Sequence, residues 1–257
     1  MASFSGMKIN PKSFHKSQIK FYLFLIPMAL FVALPILFII SHAFKPTNEL
    51  YAYPPRFFVR VPSLNNFRNL IDAAADSGIP FSRYLFNSIY VTVIGVFLSI
   101  LITSLAAYGL SKLKFKGKKL LFEINTLALM FVPIAVTIPR YLTIARAGLI
   151  DTYLVLVLPL IAMPVGLFLV KQFIDQTPNE IIESAKIDGA SEMQIFLRIV
   201  FPVIMPAVAT VGILSFQLIW NDVVGPNLYI NSESMKTLSF YFSTLTSLVG
   251  NPVAGQG

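Results

Sequence analysis

Apolar residues in this chain come in long uninterrupted blocks, not in the alternations or 3.6-residue stripes of a water-soluble fold. Five blocks stand out: Phe21–Phe44, Tyr84–Ser111, Leu120–Pro139 (interrupted only by Glu123), Thr152–Val170 and Ile199–Asn221. Each has about the 20 residues that a helix needs to cross roughly 30 Å of hydrocarbon. Helices are required because lipid offers no partner to a bare backbone N–H or C=O. The pattern therefore predicts an all-α, polytopic membrane protein with five spanning helices. The first block is longer than the core of a cleaved signal sequence and has no small-x-small site after it, so it reads as a retained helix. Eight prolines sit in or at the ends of the blocks: Pro27, Pro35, Pro133, Pro139, Pro159, Pro164, Pro202 and Pro206. Each removes a helical hydrogen bond and favours a kink, which predicts irregular helices around a pathway.

Composition supports the membrane reading. Hydrophobic residues make up 56% of the 257 and charged residues 12%, with a mean hydropathy of +0.73. A soluble domain carries roughly 25% charged residues, so a soluble enzyme or signalling domain is excluded. There are no cysteines, which removes disulfides, thiol catalysis and Cys-based metal sites, and the two histidines, His15 and His42, form no metal cluster. The net charge of +8 falls at membrane edges and does not point to nucleic acid.

Alternation of the helices divides the polar segments into two sets. Segments 1–20, 112–119 and 171–198 hold twelve lysines and arginines in 56 positions; segments 45–83, 140–151 and 222–257 hold eight in 87. The positive-inside rule places the denser set, and with it the N-terminus, in the cytoplasm. The predicted organisation is a cytoplasmic segment at 1–20 and a transmembrane domain at 21–257. The lysine-rich turn 112–119 suits anionic headgroups.

The cytoplasmic segment 171–198 is too long and too patterned for a passive connector. It carries Asp175, Glu180, Glu183, Asp188 and Glu192, five of the twelve acidic residues. Thr177, Pro178 and Glu180 predict a capping box with proline at the first helical position. Gly189 suits the left-handed residue that ends a helix, and Ser191 with Gln194 predicts a second capping box. The prediction is a short helix, a glycine break and a second helix entering the block at Ile199. Ile181, Ile182 and Ala185 share one side of the first helix; Glu180, Glu183 and Lys186 line a polar strip. Such a helix is shaped for a groove in a partner protein.

Within this loop Glu183-Ser184-Ala185, then Asp188-Gly189-Ala190, then Ile199-Val200-Phe201-Pro202 resembles the E-A-A-x3-G-x9-I-x-L-P loop of binding-protein-dependent ABC importer permeases. Ser184 and Phe201 depart from that pattern conservatively. Asp188-Gly189-Ala190-Ser191, Gly148-Leu149-Ile150-Asp151-Thr152-Tyr153 and Trp220-Asn221-Asp222 resemble the carbohydrate branch, in particular the second permease of maltose-type importers. The resemblance covers about Phe21 to Leu238. It implies that Glu183, Ser184, Ala185, Asp188, Gly189, Ala190, Ile199 and Pro202 couple the chain to a cytoplasmic ATPase. It also implies two ATPase subunits, a second permease, an extracytoplasmic sugar-binding protein and a carbohydrate substrate. A sixth crossing helix is implied too, but Thr237–Gly257 is rich in Ser, Thr, Gly and Asn and does not read as one. The expectation is that the natural protein continues beyond it.

No Gly-x4-Gly-Lys-Ser/Thr loop occurs, so ATP and magnesium are expected on the ATPase and no cofactor on this chain. Neither does a catalytic carboxylate pair or Ser/His/Asp set appear, so the chain reads as a conduit and not as an enzyme. Polar residues that suit sugar hydroxyls are Asn87, Ser88, Thr92, Ser215, Gln217, Trp220 and Asn221. Ser and Thr also serve as glue between membrane helices. Two other readings stay open: an ABC permease for a non-sugar solute, and an ion-coupled transporter. The second is weakened because only Glu123 lies inside a block, near its cytoplasmic end.

Overall fold

A computed structural model describes residues 18–76, 78–131 and 133–250. Among them every element is helical. The chain divides into two compact units, at 1–78 and 79–257; the predicted cytoplasmic segment at 1–20 lies almost wholly outside the described residues.

In the first unit α1 (Ile19–Ala43) exposes apolar side chains around its whole circumference, as a helix surrounded by hydrocarbon must. The segment after it folds back on its end. Asn66 Nδ2 donates to the carbonyls of Ala43 (3.1 Å) and Lys45 (2.7 Å), and Ser63 N–H to that of Phe44 (2.8 Å), so carbonyls at and just beyond the end of α1 are capped from a distance. Ser41 Oγ donates to Phe57 O and accepts from Val59 N–H. The buried Lys45 ammonium donates to Arg56 O and to His42 Nε2. Between these anchors lies α2 (Thr47–Leu50), and beyond them α3 (Asn65–Asp76).

The second unit is arranged around α4 (Phe81–Lys112), a 32-residue helix without interior proline. The helices α7 (Tyr153–Ile161), α8 (Pro164–Asp175) and α12 (Met205–Trp220) pack along it. Ser99, Thr103, Ser104 and Ala107 face these neighbours and are buried, since small side chains let membrane helices approach closely. Two apolar clusters result. One gathers Ala107, Tyr108, Val170, Ile174, Ile182, Ile195, Val200 and Ile204; the other gathers Val91, Ile144, Val155, Leu156, Ile219, Tyr229 and Ile230.

Among the described residues two helices, α1 and α4, are long and apolar enough to cross a membrane unaided. Two further helix pairs are long and apolar enough when taken together but are bent at a short break: α7 with α8, at 44°, and the stretch Glu192–Val203 with α12, at 80°. The causes are local. Ala162 and Met163 are extended, and Met163 precedes Pro164, where the helical region is disfavoured. Pro202 and Pro206 cannot donate to the preceding turn, and a π-helical segment, Phe196–Val200, sits just before them. It leads into the short α11 (Phe201–Val203). The block Leu120–Pro139, expected as one crossing, is two helices instead. α5 (Lys118–Ala128) stops well before the 3-10 turn Pro133–Val136, and α6 (Thr137–Arg146) runs beyond the predicted end. Proline at 133 denies a donor to the turn before it, whereas Pro139 falls in the first turn of α6, where it is tolerated.

After α12 come α13 (Val224–Tyr229) and α14 (Leu238–Gly250). The uncharged stretch from Thr237, read as non-spanning, is thus helical from Leu238 as far as it is described. Its last seven residues, 251–257, lie outside the described residues.

Candidate functional site

The segment 171–198 folds as two helices around a glycine. α9 (Asn179–Ile187) ends in a Schellman turn: Gly189 has φ +81°, its N–H bonds to Lys186 O (3.1 Å), and Ala190 N–H bonds to Ala185 O (3.0 Å). The next helix, α10 (Glu192–Ile195), starts with the predicted reciprocal capping box. Ser191 Oγ accepts from Gln194 N–H (3.3 Å) and Gln194 Oε1 from Ser191 N–H (2.8 Å).

The other predicted box does not form. α9 begins at Asn179, no side chain caps it, and the buried Thr177 hydroxyl has no hydrogen-bond partner. Lys112 from α4 holds the entry to α9 instead: its Nζ donates to Thr177 O (2.7 Å) and Asn179 Oδ1 (2.8 Å).

The coupling candidates divide by burial. Ile182 is 5% exposed and Ala185 packs partly against the same cluster, so this face seats α9 on its own chain. Ile199 packs partly against that cluster too, while Pro202 is exposed. Glu183, Ser184, Asp188 and Gly189 are exposed and Ala190 is half-buried. Ser184 Oγ only back-bonds to Glu180 O (2.8 Å). Ile181 (49%), Ile187 (86%), Met193 (55%) and Leu197 (54%) remain exposed. The apolar stripe read as one partner-facing side is therefore split: Ile182 and Ala185 face inward, Ile181 outward. A cleft of about 740 Å³ beside the loop is lined by Lys112, Lys114, Lys118, Glu183 and Lys186, among others.

Residues outside the motif hold this loop. Tyr108 Oη donates to Glu192 Oε2 (2.6 Å), and Glu192 Oε1 pairs with Lys186 Nζ (2.5 Å). Lys171 pairs with Asp175 at 2.6 Å, and Ser111 donates to Asp175 as well. Sequence reasoning missed Tyr108, Ser111 and Lys112; Tyr108 stands 84 positions from Glu192, and no local signal joins them.

Four of the seven polar candidates for a sugar path, Asn87, Ser88, Thr92 and Ser215, are buried in this structure. Asn87 is fully buried: its Nδ2 donates to Ser234 O (2.8 Å) and Lys236 O (2.9 Å), and its Oδ1 accepts from Tyr153 Oη (2.8 Å). Ser88 Oγ accepts from Leu238 N–H (2.8 Å). Thr92 is buried, and Ser215 bonds back to Val211 O and Gly212 O of its own helix. Asn87, Ser88 and Ser215 thus have hydrogen-bond partners within this chain, and Thr92 is buried. Gln217 and Asn221 are exposed, and Trp220 is half-buried and stacked on Phe216 at 5.7 Å between centroids.

The segment Gly148–Tyr153 is a clamp. Gly148 and Asp151 both take positive φ. Asp151 N–H bonds to Tyr229 O (2.8 Å). Its Oδ1 accepts from Asn231 N–H (3.0 Å) and Ser232 N–H (2.8 Å), and its Oδ2 accepts from Ser232 Oγ (2.6 Å). The Ser232 hydroxyl, with those N–H groups, holds the Asp151 carboxyl below the usual carboxylate range. Burial pushes the Asp222 carboxyl up, against the pull of the Gly225 and Val224 N–H groups and Arg140.

The fold is that of an all-helical membrane unit with a helix–glycine–helix loop. The family described as binding-protein-dependent transport system inner membrane component matches residues 95–247. Protein LplC of Bacillus subtilis is 34% identical over 226 residues, 88% of this chain and 74% of that protein. The arabinooligosaccharides transport system permease protein AraQ of the same organism is 30% identical over 245 residues, 92% and 85% of the two chains. A bacterial ABC transporter involved in import of the acidic polysaccharide alginate has a chain of the same fold, with a TM-score of 0.76 and 21% identity, covering 94% of this chain and 89% of its own. The chain belongs to the binding-protein-dependent transport system inner membrane component family: it is the permease subunit of an ABC importer, a membrane protein whose ATPase is a separate subunit.

Proposed function

We propose that this permease carries oligosaccharides inward, as the membrane subunit of an ATP-driven importer. The observation that carries the reading is the similarity, over 92% of the chain, to a permease named for arabinooligosaccharide transport. The loop 171–198 docks the ATPase. Its exposed Ile181, Ile187 and Met193 beside Glu183 supply the apolar knobs and polar edge that a groove receives. ATP and magnesium stay on that partner. A second permease completes the path, two ATPases drive it, and an extracytoplasmic sugar-binding protein delivers cargo to the outer segments 45–83 and 222–257. The density of lysine and arginine supports a cytoplasmic N-terminus. The broken stretch 118–146 is read as the remaining crossing of the five. Gln217, Trp220 and Asn221 are the path residues still open to a sugar, Trp220 offering its ring face.

The test is reconstitution of the complex in liposomes with its binding protein. Oligosaccharide is expected to stimulate ATP hydrolysis and to accumulate inside. Stimulation by amino acids or phosphate, with none by oligosaccharide, would overturn the cargo assignment.

A further inference from the structure

α4 grips the cytoplasmic loop at both corners. At one, Lys112 holds Thr177 O and Asn179 Oδ1. At the other, the Tyr108 hydroxyl, on a side chain 5% exposed, donates to Glu192, whose second oxygen pairs with Lys186. Glu192 opens α10 and Lys186 lies in the last turn of α9, so one carboxylate spans the glycine turn and ties both helices to one point of α4. Between the corners Ile182 is seated in the cluster that contains Ala107 and Tyr108. At 32 residues α4 is about 48 Å long, and it is unbroken where the covalent routes out of the loop are bent by 44° and 80°. Near its other end it holds the backbone of Ser234, Lys236 and Leu238 through Asn87 and Ser88.

We propose that Tyr108 and Glu192 are positioning residues of energy coupling, making α4 follow the loop as one body so that a displacement of α9 reaches segment 234–238 along this helix. The inference rests on the transport reading above. A bent pair absorbs a displacement at its break; an unbroken helix carries it. The Lys186–Glu192 pair is about half exposed and contributes little by itself. The Tyr108 bond is charge-assisted and shielded at its donor end, which makes it the stronger tie.

Tyr108→Phe removes one oxygen and leaves the ring against Phe196, 5.4 Å away between centroids. The chain has no cysteine, so cysteines introduced at the exposed Lys114 and Ile187 take spin labels without background from this subunit. In the assembled complex, Tyr108→Phe is expected to broaden the distance distribution between the labels. It is also expected to raise the ATP hydrolysed per solute carried by roughly tenfold, the scale of one hydrogen bond to a charged acceptor. Glu192→Gln should act in the same direction, and the double variant should be no worse than the worse single one. An unchanged distance distribution overturns the tie. A broadened distribution with an unchanged ATP-to-solute ratio overturns the coupling role. The label measurement needs no transport, so failure of the wild-type complex to carry sugar would count against the transport reading alone.

Discussion

Gly189→Val isolates the conformational demand of the coupling loop. A Cβ at this position would have nothing within 4 Å, so the substitution creates no clash within this chain. What it does create is a β-branched side chain at φ +81°, which costs a non-glycine residue about 1–2 kcal/mol. That lowers the population of the observed turn roughly 5–30-fold relative to alternatives. The two Schellman bonds to Lys186 O and Ala185 O break together, and the exit of α10 swings away from Glu192's partners. The assay is oligosaccharide uptake and oligosaccharide-stimulated ATP hydrolysis by the reconstituted complex, with membrane insertion checked by immunoblot. Both activities are expected to collapse while the protein still reaches the membrane. Gly189→Asn, which tolerates the left-handed region, should keep most of the activity. Wild-type activity in Gly189→Val would refute the reasoning. So would equal damage from Asn and Val, because the cost would then not lie in φ.

Asn87→Ala should leave Lys236 O without this donor and the Tyr153 hydroxyl without its acceptor, while Arg83 still donates to Ser234 O and Tyr153 Oη, at a cost of about 1–3 kcal/mol. The expected result is a lower unfolding temperature in detergent, with unchanged discrimination among sugars at permissive temperature. The Asp151 clamp should be pH-dependent. Its carboxyl is depressed in the folded chain, so the clamp is complete above the unfolded carboxyl value of about 4 and weakens as pH falls through the lower folded value. Hydrogen exchange at the amides of Asn231 and Ser232 should accelerate over that interval, and Asp151→Asn should abolish the dependence. Orientation can be read by single cysteines in this cysteine-free chain: Lys116→Cys should react with an impermeant thiol reagent only from the cytoplasmic face, and Tyr53→Cys, at a site 95% exposed, only from the outer face.

Local chemistry was readable from the residues alone. The Ser191–Gln194 box and the glycine turn at 189 appear as predicted because each is decided within six residues by capping and by positive φ. The apolar blocks announced a helical membrane protein because lipid leaves the backbone no alternative. The motif of the loop disclosed the family. What the sequence left undecided is what other elements supply. Thr177 caps nothing, and its carbonyl is held by Lys112, 65 positions earlier. Asn87 and Ser88, polar residues on an apolar helix, serve the backbone of 234–238, about 150 positions away. The block Leu120–Pro139 has a span's composition but breaks into two helices, and the stripe on α9 divides because Ile182 finds a seat beside Tyr108 while Ile181 does not. Composition and spacing decide which groups must be satisfied or buried; only the packed helices decide which partner does it.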